Sequence, residues 1–110
     1  MENDMFNDLL DQSLGEKMLL ISIIGTLEAV KEGKMSINEA EKFLFSPRML
    51  RKLKEKHYNE EIIYIIELGC ELEDIASLLP EKLLQSIEDL KVQALNIMGE
   101  YQEIDKKFWL

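Results

Sequence analysis

The scarcity of chain breakers limits most strongly what this sequence can fold into. Its 110 residues include only two prolines and five glycines. Pro47 and Pro80 each precede an apolar stretch, a position typical of the first turn of a helix, where the missing N–H costs nothing. Only one segment also suits a strand, and no second strand is present to pair with it. The sequence therefore predicts an all-α fold, a compact bundle of five or six helices with a long C-terminal helix, in a single domain over residues 1–110.

Apolar spacing and capping residues place the predicted helices. A short amphipathic helix carries Met5 to Leu10, and a more apolar, central helix spans residues 15–32 and ends at Gly33. Ser36 with Glu39 forms a capping box, Ser46 caps a helix that begins at Pro47, and Asn59 caps the next. Residues 62–66, four isoleucines and a tyrosine, fit either a helix or a buried strand.

An apolar seam continues to the end of the chain. From Leu83 to Phe108 apolar residues recur every three or four positions, which predicts one long helix that begins near Pro80 and rises about 38 Å between Leu83 and Phe108. The first half of this helix is expected to pack within the chain. Large apolar residues at its tip predict a contact with a second copy or another protein, and hence a possible homodimer. These self-association residues are Tyr101, Ile104, Phe108 and Trp109.

Residues able to carry catalysis are few. His57, the only histidine, follows a basic string and is expected to cap carbonyls or face water. Cys70, the only cysteine, lies in apolar company and is expected to act as a small core residue. One His and one Cys cannot form a zinc site, and no glycine-rich phosphate loop occurs. The sequence predicts no catalytic residues, no metal site and no cofactor.

Charge is unevenly distributed. The 13 Lys and Arg against 22 Asp and Glu give a net charge of −9. Between residues 60 and 81 acids occur without any base, which predicts either a solvated face or a surface that attracts a basic partner protein. We take the second interpretation as the leading hypothesis: a non-catalytic interaction module of the inhibitor or immunity type. The predicted partner-binding residues are Glu60, Glu61, Glu67, Glu71, Glu73 and Asp74.

An alternative function uses the basic helix 47–56. With the capping-box helix before it, this segment resembles a helix-turn-helix that would offer Arg48, Arg51 and Lys52 to DNA. The net charge of −9 argues against nucleic acid as a partner, because the whole molecule would meet a polyanion.

The sequence also carries predictions about location. No apolar run approaches the ~20 residues that cross a bilayer, and the first residues carry acids where a secretory signal carries bases. A lone cysteine fits a reducing compartment. A cytoplasmic protein without a membrane partner is expected.

Several short strings resemble a family of short, uncharacterised bacterial proteins of unknown function. They are Ser36–Glu41 and Leu44–Pro47, then Glu67–Gly69, Glu71–Ile75 and Leu78–Pro80. The resemblance covers roughly residues 18–95 and implies no active site.

Overall fold

The computed structural model describes residues 2–104, and the side chains of residues 11–104. The helices are α1 (Glu2–Lys31), α2 (Ile37–Phe43), α3 (Pro47–Glu55), α4 (Glu60–Gly69), α5 (Leu72–Leu78) and α6 (Leu83–Met98), with a 3₁₀ turn at Pro80–Lys82.

The predicted all-α architecture is confirmed. The described residues contain no strand, and residues 62–66, which fitted either type of structure, lie within α4. The predicted count of five or six helices does not describe the bundle, which is formed by four helices of nine residues or more. The other two, α2 and α5, are segments of seven residues. Seven residues make about two turns, so these segments depend on packing rather than on their own stability.

The prediction of two separate helices before Gly33 is wrong. α1 is one helix of 30 residues that passes through Gly15 without a break. A Cβ atom at Gly15 would lie 2.5 Å from the Tyr58 hydroxyl, so glycine serves there for close approach rather than as a helix terminator. Gly33, with φ of 72°, takes the predicted left-handed conformation after the helix.

The three predicted N-caps are confirmed. The Ser36 hydroxyl accepts a hydrogen bond from the Glu39 amide at 3.0 Å, and the Ser46 hydroxyl accepts one from the Met49 amide at 3.2 Å. The Asn59 side chain accepts one from the Glu61 amide at 2.7 Å. Each cap supplies an acceptor for a donor that the first helical turn leaves unpaired.

The core lies between α1, α4 and α6. α1 and α6 are antiparallel and make the most extensive helix contact, and α4 also packs against α6. Apolar residues at steps of three and four from each of the three helices are buried together: Leu20, Ile23 and Leu27; Ile62, Ile65 and Ile66; Ile87, Leu90, Ala94 and Ile97. A stripe of this kind is the usual source of helix stability in a small protein.

The predicted C-terminal helix is shorter than its apolar seam. α6 begins after the 3₁₀ turn at Pro80–Lys82, has 16 residues and ends at Met98, so α1 and not the C-terminal helix is the longest element. Gly99 weakens the helix, and the Tyr101 side chain turns back to contact α1 instead of extending the stripe. Ile104 lies half-buried beyond the helix, and Phe108 and Trp109 lie outside the described residues.

Within the part of the chain that the structure describes, no helix has the length and apolar character needed to span a lipid bilayer.

Candidate protein-interaction surface

The side of α4 that points away from the core carries acids around a tyrosine. Glu60, Tyr64 and Glu67 are four and three residues apart, so they share one face of the helix, which we call the outer α4 face. The isoleucines on the opposite side of α4 are buried, which fixes this orientation. Tyr64 remains 54% exposed between the two carboxylates. An aromatic ring with a polar tip, flanked by charge, is a common type of contact residue in protein interfaces.

Shallow grooves run along both sides of the outer α4 face. The groove toward α6 has a volume of about 390 Å³ and is lined by Tyr64 with Gln93, Asn96 and Ile97. The groove toward α3 has a volume of about 640 Å³, and Tyr64 also lines it, with Tyr58 and Ile63. Tyr64 therefore stands on a ridge between two concave surfaces that can receive side chains of another protein.

The six predicted partner-binding acids do not form one cluster. Glu60 and Glu61 lie in the first turn of α4, whereas Glu71, Glu73 and Asp74 lie at the start of α5. α4 separates the two groups by its ten residues, about 15 Å. Glu67, between them, pairs with Lys54 of α3 at 3.5 Å. All of these acids except the half-buried Glu67 are exposed.

Glu41 belongs to the α5 group although sequence reasoning missed it. This residue lies on α2, which packs against α5. Partial burial, a hydrogen bond with Glu73 and the charges of Glu73 and Asp74 raise the pKa of Glu41 above its usual range. Glu41 and Glu73 are 32 positions apart in the sequence. The spacing of neighbouring residues therefore could not identify Glu41 as a member of this group.

Cys70 is partly buried and His57 is exposed, in line with the sequence, and His57 also has an unusual backbone conformation. Cys70 is a half-buried free thiol whose pKa is raised by burial, and further by nearby carboxylates. His57 is exposed, and its φ of 56° makes it the left-handed residue that ends α3, a place usually held by glycine or asparagine. Among the described side chains, no three His, Cys, Asp or Glu residues are grouped so as to hold a metal ion.

The basic helix is exposed, and its main packing partner is α4 rather than α2. Arg48, Arg51 and Lys52 of α3 all lie at the surface. α3 packs against α4, whereas α2 packs against α1 and α5. In a helix-turn-helix the two helices of the motif pack against each other, so this arrangement departs from that geometry.

A buried carboxylate links α1, the start of α4 and the segment after α6. Glu16 is only 7% exposed and accepts hydrogen bonds from the Asn59 amide at 2.6 Å and the Tyr101 hydroxyl at 2.8 Å. The Asn59 side chain also donates to the Tyr101 hydroxyl at 3.3 Å. Tyr101, predicted at a self-association tip, is thus engaged within its own chain. The sequence did contain a signal for Glu16: it precedes Leu20, Ile23 and Leu27 at steps of four, three and four on the buried stripe.

Comparison with known proteins places this fold in a family without adding a function. No curated protein and no solved structure gives a significant match to the sequence. A family model described as "Protein of unknown function" matches residues 11–110, nearly the whole chain. The expected resemblance to an uncharacterised family is confirmed: the chain belongs to the DUF3969 family of proteins of unknown function.

Proposed function

We propose that this protein is a non-catalytic interaction module of the cytoplasm that binds a basic protein through the outer α4 face. The single observation that supports it most is the exposed Tyr64, placed between two carboxylates on a ridge with a groove on either side. An inhibitor or immunity-type protein works in this way, by covering a surface of its partner.

Electrostatics favours a basic partner at this face. Glu60 and Glu61 are exposed, and no lysine or arginine occurs between residues 57 and 81. Exposed carboxylates raise the rate of association with a cationic surface and repel an acidic one. The acids at the start of α5 extend the negative field beyond the direct contact. They lie about 15 Å from the first turn of α4, beyond the screening length of about 10 Å at 0.1 M salt, so they raise the association rate mainly at low salt.

Tyr64 supplies an apolar contact, which the carboxylates around it cannot provide. A half-exposed tyrosine loses apolar surface on binding with little loss of side-chain freedom, since only two torsions are fixed. The adjoining grooves accept the partner's side chains, and Gln93 and Asn96 offer amide groups at their rim. We therefore expect Tyr64 to be the residue whose truncation weakens binding most.

The second candidate, nucleic-acid binding through α3, is favoured by the exposed Arg48, Arg51 and Lys52. It predicts a mobility shift of duplex DNA at low salt that is lost when Arg48 and Arg51 are both replaced by alanine. The proposed protein-binding function predicts no such shift.

Site-specific photocrosslinking in the native host tests the proposal. A photoreactive phenylalanine analogue at position 64 should capture one basic protein, and the same analogue at Leu78, which is 75% exposed on α5, should not. The double variant Glu60→Lys, Glu67→Lys should abolish the capture, whereas the double variant Glu32→Lys, Glu39→Lys, an equal charge reversal at exposed positions outside α4, should leave it unchanged. Equal capture at positions 64 and 78, or capture of an acidic protein, would overturn the proposal.

A further inference from the structure

A second surface, formed jointly by α1 and α6, leaves large apolar side chains exposed. Met18 and Ile21 are three residues apart on α1 and are 38% and 47% exposed. Val92 and Leu95 are three residues apart on α6 and are 46% and 44% exposed. Residues three apart lie on one side of a helix, so each pair forms a local apolar strip.

The antiparallel register of the two helices brings these strips together. Lys91 of α6 contacts Glu28 of α1 at 2.8 Å, and Lys17 of α1 donates to the carbonyl of Gln102 at 2.7 Å. Between these two contacts, Leu95 lies at the level of α1 residues 21–24. We call the surface formed by Ile21, Gly25, Val92 and Leu95 the α1/α6 face, and Met18 lies at its edge, where α1 borders a groove toward α3.

Gly25 lies on this face, and none of the described residues of the chain requires a glycine there. It is exposed in the middle of a long helix, where glycine is less favourable than alanine. A Cβ atom at Gly25 would meet no atom of the described residues within 4 Å. By contrast, Gly15 and Gly69 both leave room for an aromatic ring of the same chain. A glycine at an open position on an apolar face permits the close approach of another backbone.

The charges that border the α1/α6 face are balanced, unlike those of the molecule as a whole. Three lysines and three glutamates lie along it, while the chain carries a net charge of −9. The lysines are Lys17, Lys31 and Lys91, and the glutamates are Glu28, Glu32 and Glu88. Four of these residues pair with one another through Lys31–Glu88, Lys91–Glu88 and Lys91–Glu28.

We propose that a second copy of this chain covers the α1/α6 face in a two-fold symmetric dimer. Two copies with nine excess negative charges each repel one another at their acidic surfaces. A face whose acids and bases neutralise one another within the chain does not repel its own copy. This charge balance distinguishes a second copy from the basic partner proposed for the outer α4 face, which is a separate surface. The dimer and the proposed function do not depend on each other.

The size of the face sets the expected strength of the dimer. From Lys17 to Lys31 α1 extends about 21 Å, and two helices side by side are about 20 Å wide. The resulting footprint of about 420 Å² is about half of the ~800 Å² that each partner typically buries in a stable protein interface. The dimer should therefore be weak and form progressively between micromolar and millimolar protein concentrations.

Sedimentation of the full chain over that concentration range tests the proposal. The wild-type protein should shift from monomer to dimer as its concentration rises. Ile21→Asp and Leu95→Asp, each on the α1/α6 face, should weaken the dimer at least tenfold. Leu78→Asp adds the same charge at an exposed leucine away from this face and should leave the dimer unchanged.

The variant Gly25→Ala provides a second test of the proposal. This test is needed if an aspartate variant fails to fold. Alanine favours the helix, so the dilute monomer should melt about 4 °C higher. The added methyl group should nevertheless weaken dimerisation at least threefold, because it separates the two backbones. A variant that is merely unfolded cannot produce both changes.

Three results would overturn the proposal. The first is a wild-type protein that stays monomeric at 1 mM. The second is a dimer that Ile21→Asp, Leu95→Asp and Gly25→Ala all leave intact. The third is a monomer in which Leu95→Asp shifts the fluorescence of Trp109, the single tryptophan of the sequence, because residues 105–110 of the same chain would then occupy the face.

Discussion

The hydroxyl of Tyr101 donates a hydrogen bond of 2.8 Å to Glu16, a residue 85 positions earlier in the chain. The other oxygen of the same carboxylate accepts from the Asn59 amide. One buried carboxylate thereby fixes where the chain goes after α6 and where α4 starts. Since α4 carries the outer α4 face, this interaction positions the proposed binding surface.

Removing the Tyr101 hydroxyl should lower stability without changing the core. Tyr101→Phe keeps the ring but removes the hydrogen bond to the charged Glu16 and the longer one from the Asn59 side chain, so the free energy of unfolding should fall by about 1.5–3 kcal/mol, measured by urea denaturation. Tyr64→Phe is the matched control, because the exposed Tyr64 hydroxyl donates no hydrogen bond to any of the described residues, and it should change stability by less than about 0.5 kcal/mol. Equal effects of the two substitutions would contradict the role assigned to Glu16.

The same hydrogen bond predicts how stability depends on alkaline pH. Burial and the hydrogen bond to Glu16 raise the pKa of Tyr101 from 10.0 to about 12. The folded chain holds this proton more strongly than the unfolded chain, so the contribution is complete below pH 10 and is lost as the pH rises toward 12. The stability difference between wild type and Tyr101→Phe should therefore shrink over that range. A stability difference that stays constant from pH 9 to 12 would contradict the raised pKa of Tyr101.

Glu41→Gln should stabilise the protein at neutral pH. The pKa of Glu41 is raised above 4.5 by burial and by Glu73 and Asp74, so the folded chain binds this proton more readily than the unfolded chain. Stability then falls as the pH rises from 4.5 through the raised value, and glutamine avoids that loss. We expect a gain of about 0.5 kcal/mol at pH 7 that disappears below pH 4, measured by thermal unfolding. Glu39→Gln, on the same helix, serves as the control for the change of residue type.

His57→Gly should also stabilise the protein, although it removes a side chain. A φ of 56° is strained for any residue with a Cβ atom, and glycine relieves this strain while increasing the freedom of the unfolded chain. The net gain should be about 0.5–1 kcal/mol in urea denaturation. Lys56→Gly, at the preceding residue with φ of −85°, should instead destabilise the protein. Loss of stability in both variants would show that the His57 side chain itself makes a contact.

Much of the fold could be predicted from local chemistry. The caps at Ser36, Ser46 and Asn59 and the left-handed Gly33 depend on neighbouring residues, and all four are present. The predictions that failed concern residues whose structure depends on a contact with a residue far away in the sequence. The sequence predicts that a second helix begins near Gly15, but α1 passes through this residue, and Tyr58, which packs closely against it, is 43 positions away.

The candidate surface was predicted only in part for the same reason. The acids between residues 60 and 81 were identified as a group, but helix geometry divides them between the start of α4 and the start of α5. Tyr64 was not identified as a surface residue, because a run of four isoleucines around a tyrosine does not show which side of the helix is buried. The grooves beside Tyr64 are formed by α4 together with α3 and α6. The spacing of residues within α4 does not show which other helices pack next to it.

Association kinetics with the basic protein captured at position 64 test the central claim most directly. The rate constant of wild type should fall steeply between 0.02 and 0.2 M salt, and the double variant Glu60→Lys, Glu67→Lys should associate at least tenfold more slowly at the lower salt, with a flatter salt dependence. The outer α4 face would be excluded as the contact if the variant and the wild type associate at the same rate at both salt concentrations.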